Sequence, residues 1–117
     1  MTRDIIVSGE SIPMRADGAT AFLYRQCFGE DIIKMFTGAA DGADIDTDSM
    51  GKKLAYVMTR QAEQPDPTKV KLSFSDFLLW VCSFDPLDLS VAGEEIIGLY
   101  IDNKKTESSA KKKNDPA

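Results

Sequence analysis

Hydrophobic and polar positions change period several times along the chain. Ile5 and Val7 fall on one side of an extended run, Ile12 and Met14 on one side of the next, with Ser8-Gly9-Glu10 between them. That period of two predicts a hairpin over residues 4–15, and Pro13 marks an edge strand or a bulge. Two strands bury too little to stand alone, so helices must cover them. Asp17 is a candidate N-cap for a helix to about Phe28, in which Phe22, Leu23 and Cys27 share one broad face and Gly29 stops or kinks the chain. A short helical continuation over 31–36 ends at Thr37-Gly38. The small, acidic stretch 38–49 reads as a loop.

The best-patterned segment runs from about Asp48 to Gln64. Met50, Leu54, Val57 and Met58 form one stripe, while Lys52, Lys53, Arg60 and Gln61 fall mostly elsewhere, so an amphipathic helix is predicted. Pro65-Asp66-Pro67 stops it. Ser75 is the candidate cap of a helix apolar nearly all round: Phe77, Leu78, Leu79, Trp80, Val81, Cys82 and Phe84. A short helix with no polar face belongs either in the middle of a core or at a protein interface. Asp85-Pro86 breaks it. Asp88 or Ser90 would cap a last helix with Leu89, Ala92, Ile96, Leu99 and Tyr100 as its buried stripe, and Glu94 and Glu95 in a dipole-favoured first turn. The expected fold is mainly α, four to five helices with a small N-terminal hairpin. Residues 1–103 form one domain, and the Lys-rich 104–117, with no large apolar residue, is expected to be disordered.

Charge is divided unevenly between those two parts. Residues 1–103 carry nine Lys/Arg against seventeen Asp/Glu, while 104–117 carry five Lys against two acids. An acidic body argues against nucleic acid as a partner, because phosphate binding needs a basic face. The longest apolar run, Phe77–Cys82, is far short of the ~20 residues that cross a bilayer, and the first residues do not resemble a signal peptide. No membrane partner and a cytoplasmic location are therefore expected. Cys27 and Cys82 sit in apolar segments as small hydrophobes, not as a disulfide framework.

The chain has no histidine, which removes Ser-His-Asp and Cys-His catalysis, zinc fingers and zincins. Asp44, Asp46 and Asp48 imitate positions 1, 3 and 5 of a calcium loop, but position 6 is Ser49 instead of Gly and position 12 is Ala55 instead of Glu. Asp46 or Asp48 as a helix N-cap explains the run better. Gly51-Lys52-Lys53 imitates the end of a phosphate loop, yet Asp46 stands where the first Gly is needed and no strand precedes it. Glu94 and Glu95 are adjacent on a helix and point apart, so they cannot share a substrate. No nucleophile lies beside a base; the expectation is a protein without enzymatic activity and without cofactor or metal.

The segment Tyr24-Arg25-Gln26-Cys27-Phe28-Gly29-Glu30-Asp31-Ile32-Ile33 resembles a motif of the tail assembly chaperones of long-tailed bacteriophages and prophages of Gram-positive hosts. That motif is Tyr-Arg, two residues, Phe-Gly, one residue, Asp and two apolar residues. Here Tyr24, Arg25, Phe28, Gly29 and Asp31 match it, and Glu30 replaces a commonly basic residue. The order of elements, from hairpin to Lys-rich end, is similar over about residues 4–113. The resemblance implies a cytoplasmic protein of the host bacterium, absent from the finished virion, that keeps the tape measure protein soluble while tail tube protein polymerises around it. It also implies a longer frameshifted form, for which Lys111-Lys112-Lys113 could be encoded by an adenine-rich slippery stretch. Phe22, Tyr24, Arg25, Phe28 and Trp80 are the candidate partner-binding residues, although Trp80, in the most apolar segment, reads more readily as a core residue than as a partner anchor. The oligomeric state stays open, a homo-oligomer included. The rival reading is a small helical adaptor or regulator that binds one protein partner.

Overall fold

The structure is a computed structural model that describes residues 1–42 and 44–113, with side chains described as far as Asn103. The chain opens with β1 (Thr2–Val7) and β2 (Glu10–Arg15), paired antiparallel with Ile5 opposite Ile12 and Val7 opposite Glu10. Ser8 and Gly9 both take positive φ, 53° and 80°, the mirror-image turn whose twist suits a two-residue hairpin. Ile5, Val7 and Met14 are buried on one face, and Ile6 points the other way into solvent. The expected hairpin and its turn are therefore present.

Among the described residues five α-helices follow: α1 (Thr20–Phe28), α2 (Ile32–Ala40), α3 (Thr47–Glu63), α4 (Phe74–Cys82) and α5 (Pro86–Lys113), with a 3₁₀ turn at Pro67–Lys69 before α4. The mainly α expectation with its N-terminal hairpin holds. The expected tail, 104–117, lies outside the residues whose side chains are described.

Helix boundaries move for physical reasons. Helix α1 starts three residues after Asp17, which instead accepts the Ala19 N–H at 2.8 Å while its own N–H donates to Thr20 Oγ1. Helix α2 runs through Gly38 to Ala40, so the predicted loop shrinks at its front, and Asp46 caps α3 by accepting the Ser49 N–H. Ser73, not Ser75, caps α4 through the Asp76 N–H. Asp85, not Asp88 or Ser90, accepts the N–H groups of Leu87 and Asp88 at the start of α5, and Pro86 takes the first helical position, where no donor is missed. Glu94 and Glu95 are thus well inside the helix; Asp88 is the acid of its first turn.

Helix α3 is the centre of the molecule, touching β2, α1, α4 and α5. Met50, Leu54, Val57 and Met58 are buried as the periodicity requires, and so are Gly51, Ala55, Tyr56, Thr59 and Gln61. Gln61, expected on the polar side, is buried because its amide accepts from Thr20 Oγ1 at 2.8 Å and donates to Asp17 at 3.0 Å, satisfying both ends. Helix α5 crosses α3 where Gly51 meets Gly93; a Cβ on Gly51 would lie 3.2 Å from the Gly93 Cα. Its stripe of Leu89, Ala92, Ile96, Leu99 and Tyr100 is buried in full. None of the described helices is long and apolar enough to cross a membrane.

Candidate functional site

The motif around residues 24–33 builds a stop and a restart between two helices. Gly29 takes φ 70° as the left-handed C-cap of α1, and its N–H donates to the Arg25 carbonyl at 2.8 Å. Two residues later the Asp31 carboxylate accepts the N–H groups of Ile33 and Lys34 and starts α2. Arg25 is exposed, with its guanidinium 3.9 Å from the Asp31 carboxylate. Glu30 pairs with Lys53 of α3, whose ammonium also stands 5.4 Å from the Phe28 ring centre. Gly29 and Asp31 thus end α1 and start α2 two residues apart, and Glu30 between them ties the turn to α3.

Of the five candidate contact residues, the structure brings three into one aromatic cluster. Tyr24 meets Phe28 at 5.2 Å between ring centres, Phe28 meets Phe77 at 5.1 Å, and Phe77 meets Tyr56 at 5.6 Å. Tyr56 then reaches Trp80 at 5.9 Å, and Trp80 reaches Phe84 at 4.8 Å. Edge-on pairs of this kind contribute about 1 kcal/mol each beyond burial. Tyr24 lies at the inner end, wholly buried, so it supports the cluster from below and offers no surface to a partner. Burial, with the Glu30 and Asp46 carboxylates, pushes its hydroxyl pKa up. Phe28 and Trp80 are half-buried and form the boundary between core and solvent. Phe22 stands apart: it is 77% exposed on the outer side of α1, which corrects the expectation that it shares the buried face with Leu23 and Cys27.

A polar clamp holds α4 against α3. The Tyr56 hydroxyl donates to Asp76 at 2.6 Å and accepts the Ser73 N–H at 3.2 Å, while Arg60 Nε donates to Asp76 at 3.2 Å. The Tyr56 hydrogen bond, then Arg60, holds the Asp76 carboxyl below its ordinary value. Burial first, and Asp76 second, pushes the Tyr56 hydroxyl up to about 12. With its base fixed, α4 buries Phe77, half-buries Trp80 and Val81 against the core, and turns its other apolar side chains outward. Phe74, Leu78 and Leu79 are exposed, Leu79 at 75%, and Cys82 is exposed beside them. Of the two places open to a helix without a polar face, α4 takes the surface.

Leu78, Leu79 and Phe74 are therefore interface candidates that the motif did not reveal. The signal was the missing polar face of α4 itself. A second set, Ile6, Leu87 and Val91, is also exposed; on α5, Leu87 and Val91 lie four apart on the side opposite the buried stripe. Two concavities flank α5. One, about 580 Å³, lies against the start of α3 and is lined by Gly93, Ile97, Gly98 and Ile101 with Asp48 and Ser90 at its edge. Ser90 and Lys52 hold the Asp48 carboxyl below its ordinary value there. The other, about 400 Å³, lies against the hairpin.

Comparison with protein-family models, curated proteins and solved structures finds no match to this chain.

Proposed function

We propose that this chain is a tail assembly chaperone of a long-tailed bacteriophage or prophage, which binds the tape measure protein and assists polymerisation of the tail tube. The observation that carries the reading is the outward face of α4, where Phe74, Leu78 and Leu79 stand in solvent on a helix anchored by Phe77 and Asp76. Exposed aliphatic and aromatic side chains on a rigid support suit a client made of long helices that would otherwise self-associate. The acidic body keeps the loaded complex soluble. Phe28 and Trp80 border the same face, and the motif turn at Gly29 follows Phe28 directly. No step of this role needs a catalytic group or cofactor. The Lys-rich end would link to the tube protein, or give way to a tube-binding extension in a longer form.

Co-expression with the tape measure protein encoded beside it tests the reading. Soluble yield of the tape measure protein should rise and the two should co-purify, and Leu79→Asp should abolish both effects while leaving this chain folded. An unchanged yield counts heavily against the role. If a different, folded partner is captured through the same face, the adaptor reading replaces it. The coding DNA offers a second check, an adenine-rich heptamer across Lys111–Lys113.

A further inference from the structure

We infer that the outer face of α5, beside the hairpin, is a docking seam for a partner helix that carries an apolar stripe flanked by lysines or arginines seven residues apart. This seam is separate from the α4 face and does not depend on the chaperone reading. Its apolar part is Leu87 and Val91, 71% and 75% exposed, with Ile6 of β1 at 58% across the cleft of about 400 Å³. Residues four apart on an α-helix make a ridge, and a second helix accommodates a ridge in its own groove. Its polar part is a row of acids, Asp88, Glu95 and Asp102, each seven residues after the last. Seven residues on a helix rise about 10.5 Å, the same distance that separates residues seven apart on a helix lying alongside.

Among the described residues, two of the three acids on this face have no basic partner. Asp102 has Arg3 3.6 Å away. Among the described residues Asp88 accepts only the Ser8 hydroxyl, at 2.8 Å, which ties the hairpin tip to the helix without neutralising the carboxylate. Neither Lys nor Arg lines the cleft that Asp88, Val91 and Glu95 border. A second copy would bring the same acids to this face, so like charge disfavours self-pairing; a basic helix removes the repulsion and covers Leu87 and Val91 together.

Three synthetic helices of 18 residues with one apolar stripe test this against the full chain by fluorescence anisotropy at low salt. The first has lysines at heptad spacing beside the stripe, the second has glutamates there, and the third has the lysines moved to the opposite side. The first should bind at least tenfold tighter than either of the others, and Val91→Asp should weaken it at least fivefold. The double variant Asp88→Lys, Glu95→Lys should reverse the preference toward the glutamate helix. Because Asp88 also holds the hairpin, Glu95→Lys alone provides the second variant and should lower the discrimination without altering the circular dichroism melt. Equal binding of the two lysine helices would show mere attraction to an acidic body and overturn the seam. So would insensitivity to the charge reversals, tighter binding of a 104–117 peptide than of the first helix, or a concentration-dependent dimer in sedimentation that Val91→Asp dissolves.

Discussion

Helices α3 and α4 exchange the roles that their compositions suggest. Helix α3 carries two lysines, an arginine and a glutamine, yet most of its circumference is buried. Helix α4 has only Ser75 and Asp76 as polar residues, yet Phe77 is its single buried side chain. Burial here follows position in the topology more than apolarity. Helix α3 is covered by the hairpin, α1, α4 and α5, whereas α4 has α3 and Phe28 of α1 on its inner side and no described element across its outer face. A polar residue inside α3 persists because it is paired, as Gln61 is. An apolar residue outside α4 remains exposed because no described residue covers it, which is what a partner-binding face requires.

The sharpest way to break the comparison is to cut the same side chain from each helix. Leu54 of α3 is fully buried, and Leu54→Ala should cost about 3 kcal/mol, the usual range for a buried leucine being about 2–5 kcal/mol. Urea unfolding followed by circular dichroism measures it. A loss of under about 1 kcal/mol would mean that α3 is not the centre of the core.

Glycine gives the next contrast. Gly51→Ala places a Cβ 3.2 Å from the backbone of Gly93, on a helix that cannot yield like a flexible side chain. The gain of about 1 kcal/mol in helix propensity should be outweighed, for a net loss of about 1–2 kcal/mol. Gly98→Ala, on the same helix as Gly93 but with open space at its Cβ, should instead stabilise by about 0.5–1 kcal/mol. A thermal melt of each variant separates the two signs.

How much of this was legible in the sequence depends on whether a local rule or a tertiary contact decided the outcome. Period two placed the hairpin, and the spacing of Leu89, Ala92, Ile96, Leu99 and Tyr100 identified the buried stripe of α5 residue by residue. The caps were less legible, because Ser73 against Ser75 and Asp85 against Asp88 are equal chemistries two and three residues apart, separated only by which carboxylate or hydroxyl meets a free N–H. Phe22 was misplaced because Leu23 beside it is apolar too; on a nine-residue helix, a shift of one position turns the face by 100°. Among the candidate contact residues, the sequence singled out Phe28 and Trp80, which do border the exposed face. It also singled out Tyr24, whose burial depends on α3. Leu87 and Val91 were passed over because nothing in a sequence says that the far side of an amphipathic helix should be searched for leucine and valine.

The clamp between α3 and α4 is the smaller, pH-dependent part of the comparison. Asp76→Asn should cost about 1 kcal/mol, since the hydrogen bonds survive in weakened form and the carboxylate is partly exposed. Asp76 titrates below its ordinary value when folded, so its contribution is present above about pH 4 and is lost as the pH falls further. Tyr56 titrates near 12 when folded against 10.0 ordinarily. Its contribution is therefore intact below pH 10 and disappears as the pH rises toward 12. Tyr56→Phe should reduce the steepness of alkaline unfolding over that window, with Tyr24, raised in the same direction, accounting for what remains. An unchanged alkaline limb would mean that the clamp does not hold α4.

Leu79→Ala should change stability least of all, by less than about 0.5 kcal/mol, although it removes the same atoms as Leu54→Ala. The side chain is 75% exposed, so the unfolded and folded chains hydrate nearly the same area of it and truncation leaves no cavity. The substitution even favours the helix slightly, because alanine is the best helix former. Denaturant unfolding should give the wild-type midpoint and slope. A loss of 2 kcal/mol or more, about the cost of a buried leucine, would place Leu79 under another element of this chain. The exposed face of α4 would then be part of the core, with no surface left for a client.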